Sequence, residues 1–97
     1  MGYEIIVAPD AVHGIRNLRA RERAEVEDAI ERHLGNEPEK LSKSRIKRLR
    51  GLTHPQDRLR VGEVRVFDDV VGRQVQVVGV VMKSAMTGWL QMFGVRS

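Results

Sequence analysis

The chain has 97 residues, with 17 Lys and Arg against 13 Asp and Glu, three His and no Cys, the length of one compact domain and too short for two lobes around a cleft. The missing cysteines exclude a disulfide framework, a thiolate metal site and a cysteine nucleophile, and the three scattered histidines offer no zinc-site spacing. No apolar run approaches the roughly 18 residues of a membrane span and no signal-peptide pattern is present, so a soluble cytoplasmic domain with no membrane contact, metal or cofactor is expected.

Taken in order, Tyr3-Glu4-Ile5-Ile6-Val7-Ala8 is a β-rich run closed by Pro9, which predicts a first strand. Ala11, Val12, Ile15 and Leu18 then recur at helical spacing behind Pro9 and Asp10, a suitable helix start, although Gly14 interrupts the pattern. A second helix is predicted from about Arg21 to Leu34. Val26, Ala29, Ile30, His33 and Leu34 mark its buried face, and Gly35-Asn36 with Pro38 stop it. With almost no loop between them, the two helices read as a hairpin. The polar stretch 36–44 is expected to be mobile. Strands follow at about Arg58–Gly62, Val64–Val70 and Gln74–Met82, the last two joined by a tight turn at Val71-Gly72-Arg73. Val75, Val77, Val78, Val80 and Val81 predict a strand buried on both faces and central in its sheet. Ser84 is placed to cap a short final helix, Ala85 to Phe93. The expected fold is α+β, ordered β-α-α-β-β-β with a short C-terminal helix and the helices packed on one face of a small antiparallel sheet.

Charge is unevenly spread. Residues 1–39 carry a net −4 and residues 66–97 a net +1. Residues 40–65 carry nine cations (Lys40, Lys43, Arg45, Lys47, Arg48, Arg50, Arg58, Arg60 and Arg65) against Asp57 and Glu63, a net +7. A cationic middle of this density is the electrostatic footprint of a phosphate-binding protein, set against the plainer reading of a solvated basic surface.

Several strings resemble the RelE/ParE superfamily of toxins from bacterial toxin–antitoxin systems, across nearly the full chain. They are Tyr3-Glu4-Ile5, the segment from Asp28 to Leu34, Arg45-Ile46-Lys47-Arg48-Leu49-Arg50-Gly51-Leu52, the run from Arg58 to Phe67, and Val81-Met82-Lys83-Ser84 ahead of Trp89-Leu90. The resemblance implies a microbial-RNase-like α+β domain. RelE types enter the ribosomal A site and cleave mRNA with arginines and lysines on the sheet, whereas ParE types poison DNA gyrase. Both are held inactive by a partner antitoxin, expected here to be acidic and partly disordered when free, and operator DNA would be met only through that antitoxin.

Metal-free RNA cleavage needs a base for the 2′-hydroxyl, cations for the phosphorane-like charge and an acid for the leaving oxygen. Arg65 matches the family's strand arginine. Its fork suits bidentate phosphate binding, and the competing expectation is an ion pair with Glu63, Asp68 or Asp69. Lys83 stands at the last-strand exit, where the family places a catalytic cation. Arg58 and Arg60, two apart, share one sheet face and would line a phosphate track with Arg45, Lys47, Arg48 and Arg50. His54 is the histidine near the basic segment and the candidate acid or base, against a plain loop histidine. Trp89 and Phe93 are stacking candidates, but helical spacing with Met86 and Leu90 favours packing onto the sheet. The chain departs from the family in reading Phe67-Asp68-Asp69 where many relatives have Phe-Tyr-Asp. It also lacks the C-terminal tyrosine or histidine, and carries Ser84 or Ala85 beside Lys83 in place of an arginine. These departures weigh toward a gyrase inhibitor, or a weakened nuclease kept as an antitoxin-binding corepressor. The basic 40–65 segment weighs toward a ribosome-dependent mRNA endoribonuclease.

Overall fold

The computed structural model describes residues 2–40 and 45–96. Lys43 and the 41–44 part of the stretch predicted to be mobile lie outside the described residues. Chain order is β1 (Glu4–Val7), α1 (Pro9–Arg16), α2 (Ala20–Ala29) running into a π-helical turn (Ile30–Leu34), β2 (Ile46–Arg48), β3 (Leu52–His54), β4 (Asp57–Val61), β5 (Val64–Val71), β6 (Gln74–Met82), a 3-10 turn (Lys83–Ala85), α3 (Met86–Phe93) and β7 (Val95–Arg96). The five-stranded sheet is ordered β1-β6-β5-β4-β2, and β3 pairs with β7 in a separate two-stranded ribbon. No helix is long and apolar enough to cross a membrane among the described residues.

The α+β class and the helical hairpin are as the sequence predicts. Several details differ. The sheet is antiparallel except at one edge, where β1 joins β6 in parallel after the chain has passed through the helical hairpin and strands β2 to β5. β6 is an interior strand, but the middle place belongs to β5. Ser84 caps nothing; it lies within the 3-10 turn, and α3 starts at Met86 without a side-chain cap.

One face of the sheet is covered by the hairpin. Ala11, Leu18, Val26, Ile30 and Leu34 pack there against Ile46, Leu59, Val64, Val66, Val75, Val77 and Val80. The valine-rich run owes its continuity to a β-bulge. Phe67 pairs with Gly79 but Asp68 with Val77, so Val78 is passed over, and Val77 and Val80 reach the same core although three apart. At the hairpin bend, Arg23 donates to the carbonyls of Ile15, Arg16 and Leu18, serving groups that the end of α1 leaves open.

Gly14 has a packing reason. A methyl group there would collide with the Val80 carbonyl, so α1 lies close against β6 only because position 14 has no side chain. In an exposed helix Gly→Ala is worth about 1 kcal/mol of stabilisation. Here Gly14→Ala is expected to cost about 1–3 kcal/mol through overpacking, seen as a lower melting temperature.

Candidate nucleic-acid interface

Strand alternation sorts the basic segment onto two faces. Ile46, Leu59, Val64 and Val66 point to the hairpin, so Lys47, Arg58, Arg60, Arg65 and Phe67 point to the opposite face. Register then lines them up across strands. Lys47, Arg58, Phe67 and Gly79 form one row, and Arg60, Arg65 and Val81 form the next. The second row extends to Arg45, whose carbonyl accepts the Arg60 backbone N–H at 2.8 Å.

Arg65 is buried, with 4% of its surface exposed, which the sequence reading did not expect of an unpaired strand arginine. It makes none of the ion pairs considered for it among the described residues. Its Nη1 donates instead to the carbonyls of Gly62 (2.7 Å) and Val64 (3.0 Å), folding the guanidinium back over its own turn. The Nε atoms of Arg65 and Arg58 are buried without a hydrogen-bond partner among the described residues. The Arg58 pKa is lowered, first by burial and then by the charges of Arg65 and Arg60. Three guanidiniums therefore crowd one face, and no carboxylate pairs with any of them among the described residues.

Lys83 opens the 3-10 turn one residue beyond Met82, the partner of Val64, and its backbone N–H donates to Glu63 O at 2.7 Å. Its backbone thus lies at the Arg65 end of the sheet. His54 does not. Its Nδ1 faces the carboxylate of Asp69, whose other oxygen accepts the Gln56 N–H at 2.7 Å. Asp69 is four residues along β5 from Arg65, about 13 Å at strand rise, so the imidazole is tied to the far end of the strand. Arg48 also leaves the track. It shares the phase of Ile46, and its Nε donates to Asp57 Oδ1 at 2.8 Å on the hairpin side. Arg50 lies in the turn after β2, in a groove with Leu52, Thr87, Leu90, Gln91 and Arg96, apart from the two rows.

The aromatic residues close the middle of the open face. Trp89 stacks on Phe67 with centroids 4.7 Å apart and planes 8° from parallel, and its indole N–H donates to Asp10 at 3.3 Å. The indole lies where a Cβ on Gly79 would stand. Phe93 continues the ladder, 5.3 Å from Trp89, and is 49% exposed. Trp89 is thus a packing residue, and α3 lies on the sheet face opposite the hairpin, not with the other helices.

Sequence reasoning passed over a buried carboxylate pair. Asp57 and Asp68 are cross-strand partners on the hairpin side, both fully buried. Asp57 Oδ2 and both Asp68 oxygens have no hydrogen-bond partner among the described residues. Burial, reinforced by the charges of Asp57 and Asp69, pushes the Asp68 carboxyl up to about 8, with Arg48 opposing. Asp57 is also raised by burial, although the Arg48 hydrogen bond and charge pull the other way. The same pair raises Arg48. Both are raised for different reasons: burial disfavours the Asp57 anion, whereas the hydrogen bond and charge of Asp57 favour the cation of Arg48, which stands half in water. Alternation held the signal: Asp57 is two before Leu59 and Asp68 two after Val66, both in the apolar phase of their strands.

This arrangement, an arginine-faced sheet backed by a helical hairpin, is the RelE-like fold. No protein-family model matches the chain, and no curated protein matches it in sequence. Solved structures do. The chain is similar to one in the RelB–RelE antitoxin–toxin complex from Methanococcus jannaschii (21% identity, 87% of this chain and 96% of that one, TM-score 0.69). It is similar also to one in the RelBE2 toxin–antitoxin complex from Mycobacterium tuberculosis (20%, 84% and 99%, 0.70). A third is in the archaeal RelE–RelB complex from Pyrococcus horikoshii OT3 (21%, 86% and 97%, 0.61).

Proposed function

We propose that this chain is the toxin of a toxin–antitoxin pair and that its open face takes mRNA on the ribosome, as a metal-independent endoribonuclease of the cytoplasm. The carrying observation is the clustering of Arg58, Arg60 and Arg65 with no pairing carboxylate among the described residues and with two N–H groups held out of water without acceptors. Each such orphan costs about 1–3 kcal/mol, a cost that a phosphate oxygen on this face relieves. RNA brings its own nucleophile in the 2′-hydroxyl. Arg60, Arg65 and Lys83 then act by stabilising charge that develops at phosphorus, the largest contribution a site without a metal can make. Arg45, Lys47 and Arg58 hold the flanking phosphates. His54, held by Asp69, takes no part in this mechanism.

The fold's occurrence in antitoxin–toxin complexes supports a protein partner, and the open face suits an acidic antitoxin segment that covers the cations. Operator DNA would be contacted through that partner. A second reading, a DNA gyrase inhibitor or corepressor on the same fold, draws on the distance of His54 from the arginine rows. Expression of the chain without its partner separates them. Codon-positioned mRNA cuts that vanish in Arg65→Ala support the nuclease, DNA damage with intact mRNA supports gyrase, and no growth effect supports the corepressor.

Binding alone is checked by titrating a single-stranded RNA against salt. Arg60→Ala is expected to flatten the log–log slope by about 0.7, the value for one phosphate contact on a single strand. An unchanged slope removes Arg60 from the track.

A further inference from the structure

β2 is a three-residue strand at the end of the sheet, paired with β4. A strand this short holds its register weakly unless its side chains specify it. Two of its side chains reach the hairpin side: Ile46, buried opposite Leu59, and Arg48, bonded to Asp57. Together they admit one alignment. A two-residue slip in one direction sets Ile46 against the Asp57 carboxylate. The opposite slip places Arg48 in the apolar slot facing Leu59, an uncompensated burial of charge. Any one-residue slip turns Lys47 into the core.

We propose that Asp57 is a positioning residue: acting through Arg48, it locks β2 so that Lys47 stands beside Arg58 on the open face. The consequence for RNA rests on the reading of that face as a phosphate track, whereas the register itself does not. Asp57 suits the role because it is fully buried and offers one oxygen to one guanidinium. Its buried neighbour Asp68, pushed toward the neutral form, adds little negative charge beside the Asp57–Arg48 pair. Without that pair, Ile46 is the one hairpin-side side chain of β2 left to set the register, and β2 pairs less firmly with β4.

The absence of cysteine makes a direct test possible. A Lys47→Cys/Arg58→Cys variant carries two thiols at cross-strand partner positions on the exposed face. Dibromobimane, a short thiol–thiol reagent, is expected to bridge them readily. Adding Asp57→Ala is expected to slow bridging about tenfold, and Arg48→Ala, which keeps every apolar core side chain but leaves the buried Asp57 without its partner, to do the same. Equal bridging rates with and without Arg48→Ala, in a variant that still melts cooperatively, overturn the proposal.

RNA binding supplies the second arm. Lys47→Ala should weaken single-stranded RNA binding in the parent chain but have little further effect in the Arg48→Ala background. Full additivity overturns the positioning role. If the parent binds no RNA, the RNA reading falls, and the bridging rates alone decide whether Asp57 sets the register.

Discussion

Asp68→Asn is expected to raise stability at pH 8 by about 2–4 kcal/mol and to flatten its dependence on pH. Burial moves the Asp68 carboxyl from the ordinary 3.8 to about 8, so the folded chain holds a proton that the unfolded chain releases. A group raised in this way contributes its full stability below about 4 and loses it as pH climbs toward 8, by up to roughly 1.4 kcal/mol per unit. The parent should therefore melt progressively earlier between pH 5 and pH 8. The amide cannot ionise, so the melting temperature of Asp68→Asn should vary less with pH than the parent's and lie above it at pH 8 by roughly 10 °C. A parent melting curve that is flat across this range would remove the buried proton. Asp57, raised in the same direction, adds to the slope.

Phe67→Ala is expected to cost about 3–5 kcal/mol, the range for removing a buried aromatic ring. Phe67 is fully buried because Trp89 lies flat on it, and Trp89 reaches it because Gly79 has no side chain beneath the indole. Removing the phenyl ring leaves a cavity under the indole and forfeits a stack worth about 0.5–1.5 kcal/mol. Trp89 is the chain's single tryptophan, so its fluorescence reports on the loss directly. The emission should shift to the red and the melting temperature should fall, while Phe67→Leu, which fills most of the volume, should move both much less. Unchanged emission in Phe67→Ala would mean that α3 docks by other contacts.

Much of this architecture is written in local pattern. The hairpin helices, β4, β5 and β6 follow from period and turn residues, and the helix stop at Gly35-Asn36 holds. β2, β3 and β7 were not legible. Three-residue and two-residue strands carry too few side chains to show a period, and β3 exists only because Val95 and Arg96 return to it from far along the chain. The direction of β1 is likewise a tertiary matter, since nothing in Glu4–Val7 says which neighbour it will find. For the candidate site, the +7 segment marks a stretch of chain but not its faces. Parity separates Lys47 and Arg58 from Arg48, and parity depends on a strand the sequence did not reveal. His54 is near the cations in sequence, whereas its contact with the Asp69 carboxylate ties it elsewhere.

The parallel seam between β1 and β6 has a consequence for biosynthesis. Glu4 pairs with Gln74 and Val7 with Val77, so β1 waits some seventy residues for its neighbour. Contacts of such long range slow folding and make it cooperative. A nascent or prematurely terminated chain that stops before Gln74 already carries most of the arginines, but it has no β6 for β1, β5 or α1 to dock on. Such fragments would hold the charge without the surface that organises it. A harmful activity built on this scaffold would begin only once β6 has been made.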